Sequence, residues 1–297
     1  MTQVVKTLHL YPKEYFTRFL TLKKYGYNHS DKGRQTSIEE IFGNFEFCNV
    51  KDSSSALHVL AIGTSNGVSD IPIIDALSRR FERIEYTVVE PAEDEIRCFK
   101  ELVASRHGRG NWNSTHFKFH PITIEKYLKE LEAQKFTDDF KFDIIHTLHC
   151  AYHFQDPDAI FQNLYGLLNK GGILFNIMSS GAWIKITAKI HQIYGQSEMK
   201  TYNSALALRE VMQRQLPKPK IQIILKGRNV KVNECFKEDS KDGNEMLDFI
   251  VQILDFKKTA AREIVEEITA MLKESCLSDG SDMIFPAYEE VTVFKKE

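Results

Sequence analysis

The sequence predicts an α/β protein built on a mainly parallel sheet with helices on both faces. Three observations lead there. Short apolar runs recur at Leu57–Ile62, Ile84–Val89, Phe142–Leu148 and Ile173–Met178, the composition of strands buried on both sides. Between them lie segments with apolar residues at helical spacing, such as Ile71, Ile74 and Leu77. The alternation of strand and helix then repeats five times, and parallel neighbours need such a crossover between them.

Residues 1–50 come first. Leu10, Tyr15, Phe16, Phe19 and Leu20 fall near one helix face, and Ile38, Ile41 and Phe42 mark a second short helix, with a loop at Asp31–Arg34 between. The strand Leu57–Ile62 runs through the turn Gly63-Thr64-Ser65-Asn66-Gly67 into a helix. After the strand Ile84–Val89, Pro91, Glu93, Asp94 and Glu95 open a helix, because acids suit its positive end. His116–His120 alternates as a third strand, and a helix over Glu125–Leu131 follows it. The fourth strand, Phe142–Leu148, runs into the polar and aromatic stretch His149–Phe154. A helix over Ala159–Leu168 is expected to end at Asn169-Lys170-Gly171-Gly172, before the fifth strand. Beyond it the rhythm changes. Ala182–Tyr194 and Ser204–Gln215 read as helices, Ile221–Leu225 as a strand, Lys237–Gly243 as a loop, Glu245–Leu254 and Ala260–Ser275 as helices, and Glu289–Phe294 as a last strand.

Of 297 residues, 42% are hydrophobic and 27% charged, enough for one large domain, and the whole of residues 1–297 is read as one. A net charge of -2 gives no reason to expect nucleic acid or an anionic membrane as partner. No apolar run reaches eighteen residues and no signal peptide is evident, so a cytoplasmic protein is expected, and a monomer. Cys48, Cys98, Cys150, Cys235 and Cys276 are scattered, odd in number and without CxxC, which argues against disulfides or a metal site.

The chemistry centres on Leu57–Asp70 with Glu90. Gly63 can bring the backbone close to a ligand at the strand's carboxyl end, and Gly67 can take a turn angle that other residues resist. Glu90, at the tip of the second strand, is placed to accept from both hydroxyls of a ribose. The pair suggests a cofactor containing adenosine. The turn is not GxGxxG, since Ser65 and Asp70 stand at the second and third glycine positions, and there is no triphosphate loop. That fits S-adenosylmethionine better than NAD.

These motifs resemble the S-adenosylmethionine-dependent class I methyltransferases, and more narrowly the histamine N-methyltransferase family. The likeness is carried by Ile62-Gly63 with Gly67 and Asp70, Val88–Pro91, Lys100–Ala104, Phe142-Asp143 with Tyr152, Ser180–Trp183 and Leu247-Asp248-Phe249. It implies a Rossmann-like, seven-stranded sheet with a helical substrate-binding cap drawn from about 1–50, 182–216 and 237–285. It implies cofactor contacts at Gly63, Glu90, Glu95, Thr123 or Ile124, and Leu148, with S-adenosylhomocysteine as product. It implies a substrate pocket lined by Phe16 or Phe19, Tyr152, Trp183, Phe249 and Phe285, with His149 and His153 at positions where the family has polar pocket residues. Tyr15, Phe16 and Phe19 precede the whole sheet and are expected to close over the substrate as a lid.

The departures bear on the substrate. The family holds histamine with a glutamate, a glutamine and an asparagine, where this chain has a residue near Tyr25, His149 and Ala287. His153 replaces a tyrosine and Lys200 a cysteine of the pocket edge. Methyl transfer to a neutral nitrogen needs in-line placement and dry walls more than a base. No catalytic residue is therefore required, and His149 and His153 are the candidates, four apart and on one face if helical. The expected substrate is a small amine or imidazole. The alternatives are a small molecule bearing a carboxylate, or a protein that binds the cofactor without turnover. His149–Tyr152 stands where enzymes acting on nucleobase or peptide amides carry an Asp/Asn/Ser-Pro-Pro-aromatic signature, which argues against those substrates.

Overall fold

A computed structural model of the chain describes residues 5–27, 31–44, 56–107, 112–133, 141–198, 202–226 and 229–297. Cys48 and Lys200 lie outside them. The main sheet has seven strands, here numbered in chain order: β1 (Leu57–Ile62), β2 (Ile84–Val89), β3 (Thr115–His120), β4 (Phe142–Leu148), β5 (Leu168–Ser180), β6 (Ile221–Lys226) and β7 (Tyr288–Lys295). Their order across the sheet is β3-β2-β1-β4-β5-β7-β6. The pairs β1/β2, β1/β4, β2/β3 and β4/β5 are parallel. Lys296 exchanges backbone bonds with Gly171 and Gly172, while Thr292 reaches Asn176, so β7 runs antiparallel to β5. This is the class I methyltransferase fold. The central strands β1 and β2 are almost wholly enclosed, as their unbroken apolar runs require.

The chain divides into two compact units. One comprises Gly33–Met178, Arg209–Ile223 and Val291–Glu297 and holds most of the sheet; the other comprises Met1–Lys32, Ser179–Leu208 and Ile224–Glu290. In the sheet unit, the helix Ile71–Ser78 follows the glycine turn and buries Pro72, Ile73, Ile74, Ala76 and Leu77. Three boundaries differ from expectation, two of them for local reasons. The helix after β2 starts at Glu93, because the Glu90 side chain takes the Ala92 N–H and holds Pro91 and Ala92 in a turn. Asn169–Gly172 lies within β5 rather than at a helix end: Leu168 already pairs with Phe142, and the ladder slips before Ile144. Asp31–Arg34, expected as a loop, is helical in Asp31–Asn44.

In the helix-rich unit, Pro12–Lys24 packs on Lys241–Val251. Arg18 is buried there, donating to Asp248 at 2.9 Å and also bonded to Glu14. Asp248 further accepts the N–H groups of Asp255 and Phe256, at 2.9 Å each. With Leu22 also buried, the first helix is part of this unit's core and more than a lid. The helix Lys241–Val251 starts inside the expected loop, capped by Ser240. Gly243 is required within it because a Cβ would lie 2.0 Å from the Glu234 carbonyl oxygen. Short strands Gly26–Tyr27, Asn229–Lys231, Leu277–Asp279 and Asp282–Phe285 form a second sheet.

Candidate cofactor site and active-site residues

The turn after β1 alternates left-handed residues: Gly63 at φ 63°, Ser65 at 49° and Gly67 at 77°. Ser65 thus takes the conformation that a glycine would supply at the second position of a dinucleotide turn. It is held there by Glu90, whose Oε2 accepts the Ser65 N–H at 2.9 Å while Oε1 accepts the Ala92 N–H at 3.0 Å. Each oxygen keeps a lone pair for a further donor. Burial raises the Glu90 carboxyl above its usual range, against the pull of the two amides. The Ser65 hydroxyl donates to Glu95, so Glu90 and Glu95 flank one serine.

Gly63 and Gly67 are glycines for a second reason. A Cβ on Gly63 would sit 2.3 Å from Cys150 Cβ, and one on Gly67 would meet the Phe99 ring. Cys150 itself donates its thiol to the Ile62 carbonyl at 3.1 Å, closing the tips of β1 and β4 together. Leu148 ends β4 and is buried. Of the alternatives near residue 123, Ile124 is buried at the start of its helix, whereas Thr123 is exposed and accepts the Lys126 N–H at 3.4 Å.

His149 leaves β4 with φ 54°, its N–H donating to the Ile177 carbonyl at 3.0 Å. His153 lies in the short 3-10 turn Ala151–His153. The two histidines therefore do not share one helical face, because the left-handed residue at 149 interrupts the path. His149 stacks beside Tyr152, with ring centroids 6.5 Å apart. Burial pushes the His153 imidazole down to about 4, so it is neutral at neutral pH.

The other aromatic residues form a cluster in the helix-rich unit. Phe249 meets Tyr15 at 5.2 Å, Phe19 at 5.6 Å and Trp183 at 6.3 Å, and Trp183 meets Phe285 at 5.7 Å. Phe16 does not join it; it turns outward, 47% exposed. The sequence reading passed over Ser65, Cys150 and a buried trio in which Tyr86 joins Asp70 to His146. A histidine inside the otherwise apolar β4 was the available signal.

A glycine turn after β1 and a buried glutamate at the tip of β2, on a seven-stranded and mostly parallel sheet, define a class I enzyme that uses an adenosyl cofactor. A family model described as a methyltransferase domain matches residues 33–215. The histamine N-methyltransferase of Danio rerio is 25% identical over 247 residues, covering 81% of this chain and 82% of its own. That of Mus musculus is 24% identical over 229 residues, 76% of each chain. Among solved structures, a candidate methyltransferase from Bacillus halodurans superposes with a TM-score of 0.51 at 15% identity, covering 90% of this chain and 99% of that one. The chain belongs to the methyltransferase-domain family, and its methyl donor is S-adenosylmethionine.

Proposed function

We propose that the enzyme methylates a nitrogen of a small amine or imidazole, and that histamine is not its preferred substrate. The aromatic cluster of Tyr15, Phe19, Trp183, Phe249 and Phe285 carries this reading, since ring faces favour cationic and π-rich groups. The relatives named as histamine N-methyltransferases support it. The cofactor supplies an electrophilic methyl group. Gly63, Glu90, Glu95, Ile124 with Thr123, and Leu148 hold the donor, and His149, Tyr152 and His153 orient the acceptor. His153, being neutral, offers either a donor or a lone pair to the substrate.

The argument against histamine concerns its ammonium group, which needs an acid in a dry site. The four acids of the helices Pro12–Lys24 and Lys241–Val251, which carry Tyr15, Phe19 and Phe249, are engaged. Asp248 and Glu14 hold Arg18, Glu245 accepts from Thr21, and Asp242 accepts from Tyr25 and Lys24. Ala287 offers no side-chain acceptor. Loss of one charge-assisted bond of about 1.5–3 kcal/mol and one neutral bond of about 0.5–1.5 kcal/mol weakens binding by roughly two to three powers of ten. The same engagement of acids favours, as a second reading, a small substrate bearing a carboxylate. Steady-state kinetics on imidazoles, amines and amino acids decide. Histamine turned over more efficiently than every other compound would overturn the proposal.

A further inference from the structure

Asp70, Tyr86 and His146 are fully enclosed in the sheet unit, and the transfer chemistry does not use them. The strand register explains how they meet. Val59 of β1 stands opposite Tyr86 of β2, and Ala61 stands opposite His146 of β4. Alternate residues of a strand share a face, so all four lie on one side of the sheet. Ala61 is small enough for Tyr86 and His146 to reach each other across β1. The Tyr86 hydroxyl donates to Asp70 Oδ1 at 2.8 Å, and its oxygen lies 2.7 Å from His146 Nε2, which therefore carries the hydrogen and donates. Asp70 Oδ2 and His146 Nδ1 have no partner.

The trio sits directly beneath the cofactor residues. The Asp70 N–H donates to the Gly67 carbonyl at 3.0 Å, Tyr86 precedes Glu90 by four residues, and His146 precedes Leu148 by two on the same face of β4. Four titratable groups surround Asp70: Tyr86 and Glu90 from β2, His146 from β4, and Cys150 just beyond it. None is a cation. Burial holds His146 down at about 3 and keeps the Cys150 thiol protonated, and Glu90 adds like charge. Complete burial, with Glu90's like charge behind it and only the Tyr86 hydrogen bond opposing, pushes Asp70 up to about 8, and it keeps its proton at neutral pH.

We propose that Asp70, Tyr86 and His146 are positioning residues for the methyl donor: they fix the Gly63–Gly67 turn against β2 and β4, and the cationic cofactor binds with loss of the proton that Asp70 carries. The inference rests on Gly63, Glu90 and Leu148 being cofactor contacts. A sulfonium at that site supplies the missing positive charge. The Asp70 O–H bond breaks, the carboxylate keeps the electron pair, and the proton passes to the solvent buffer. S-adenosylhomocysteine carries a neutral thioether and lacks this pull, so its binding leaves Asp70 protonated.

Titration calorimetry of the intact protein in two buffers of different ionisation enthalpy, at about pH 7, reads the proton directly. S-adenosylmethionine should release more protons than S-adenosylhomocysteine, and its affinity should rise with pH up to about 8, by at most about tenfold per unit. Asp70→Asn should flatten that slope. Tyr86→Phe should weaken the affinity and leave the slope. Equal proton release by both ligands, or an unchanged slope in Asp70→Asn, would overturn the proposal. Should Asp70→Asn fail to fold, the wild-type comparison of the two ligands decides alone. Failure of the underlying cofactor reading shows differently, as an unaltered dissociation constant in Glu90→Gln.

Discussion

Glu90 does two things at once, anchoring Ser65 and Ala92 and presenting its remaining lone pairs. Alanine there would strand two backbone amides and glutamine one, because its NH2 replaces an acceptor, so Glu90→Gln is the milder test of the proposed ribose contact. The loss of charge-assisted bonds worth roughly 1.5–3 kcal/mol should raise the dissociation constant for S-adenosylmethionine by at least about tenfold, read by calorimetry. Buried titratable groups give a second expectation at this scale. Asp70 is raised from 3.8 to about 8, so its contribution to stability is complete below 3.8 and is lost as pH rises through about 8. His146 and His153 are lowered from 6.5 to about 3 and about 4, so theirs is complete above 6.5 and is lost as pH falls towards those values. Melting temperatures of wild type and Asp70→Asn should diverge in favour of the variant as pH rises from 3.8 to about 8; parallel curves would contradict the burial argument. Glu90 was legible in the sequence because it ends an apolar run. Tyr86 was not, because an aromatic inside such a run reads as core, and its partners lie 16 and 60 residues away.

The glycine turn is the element whose outline the sequence gives best and whose cause it hides. Gly63 was expected to admit a ligand; the structure adds that Cys150 fills the space a side chain would need. Gly63→Ala must bear a left-handed backbone, about 1–2 kcal/mol, as well as that overlap. It should lower the melting temperature and weaken the cofactor, and Cys150→Gly should restore part of the stability lost. A double mutant no better than Gly63→Ala alone would show that the overlap is relieved elsewhere. The helix Pro12–Lys24 gives the opposite lesson. Its aromatics marked a functional face, but spacing alone could not separate Tyr15 and Phe19, which meet Phe249, from Phe16, which is exposed.

For the molecule, the sheet was legible because five strands, four of them apolar runs, alternated with helices. The small sheet of the helix-rich unit was not, since its strands are two to four residues long and one of them, Gly26–Tyr27, finds its partner more than 200 positions away. That unit is assembled from three separate stretches, Met1–Lys32 among them. Deleting residues 1–24 would therefore remove the buried Arg18–Asp248 pair and the packing of Leu22, and uncover Asp248. The truncated protein should lose the helix-rich unit's cooperative unfolding in calorimetry. A truncation that melts as the intact chain does would return the first helix to the status of a removable lid.

His149 is held by a left-handed backbone angle and an N–H bonded to Ile177, besides the contact of its ring with Tyr152. The backbone part of that hold is a socket, and asparagine, which tolerates the same angle, would fill it too. With the acceptor role proposed for His149, libraries at position 149 limited to residues that tolerate this angle should stay folded while their preferred methyl acceptors scatter.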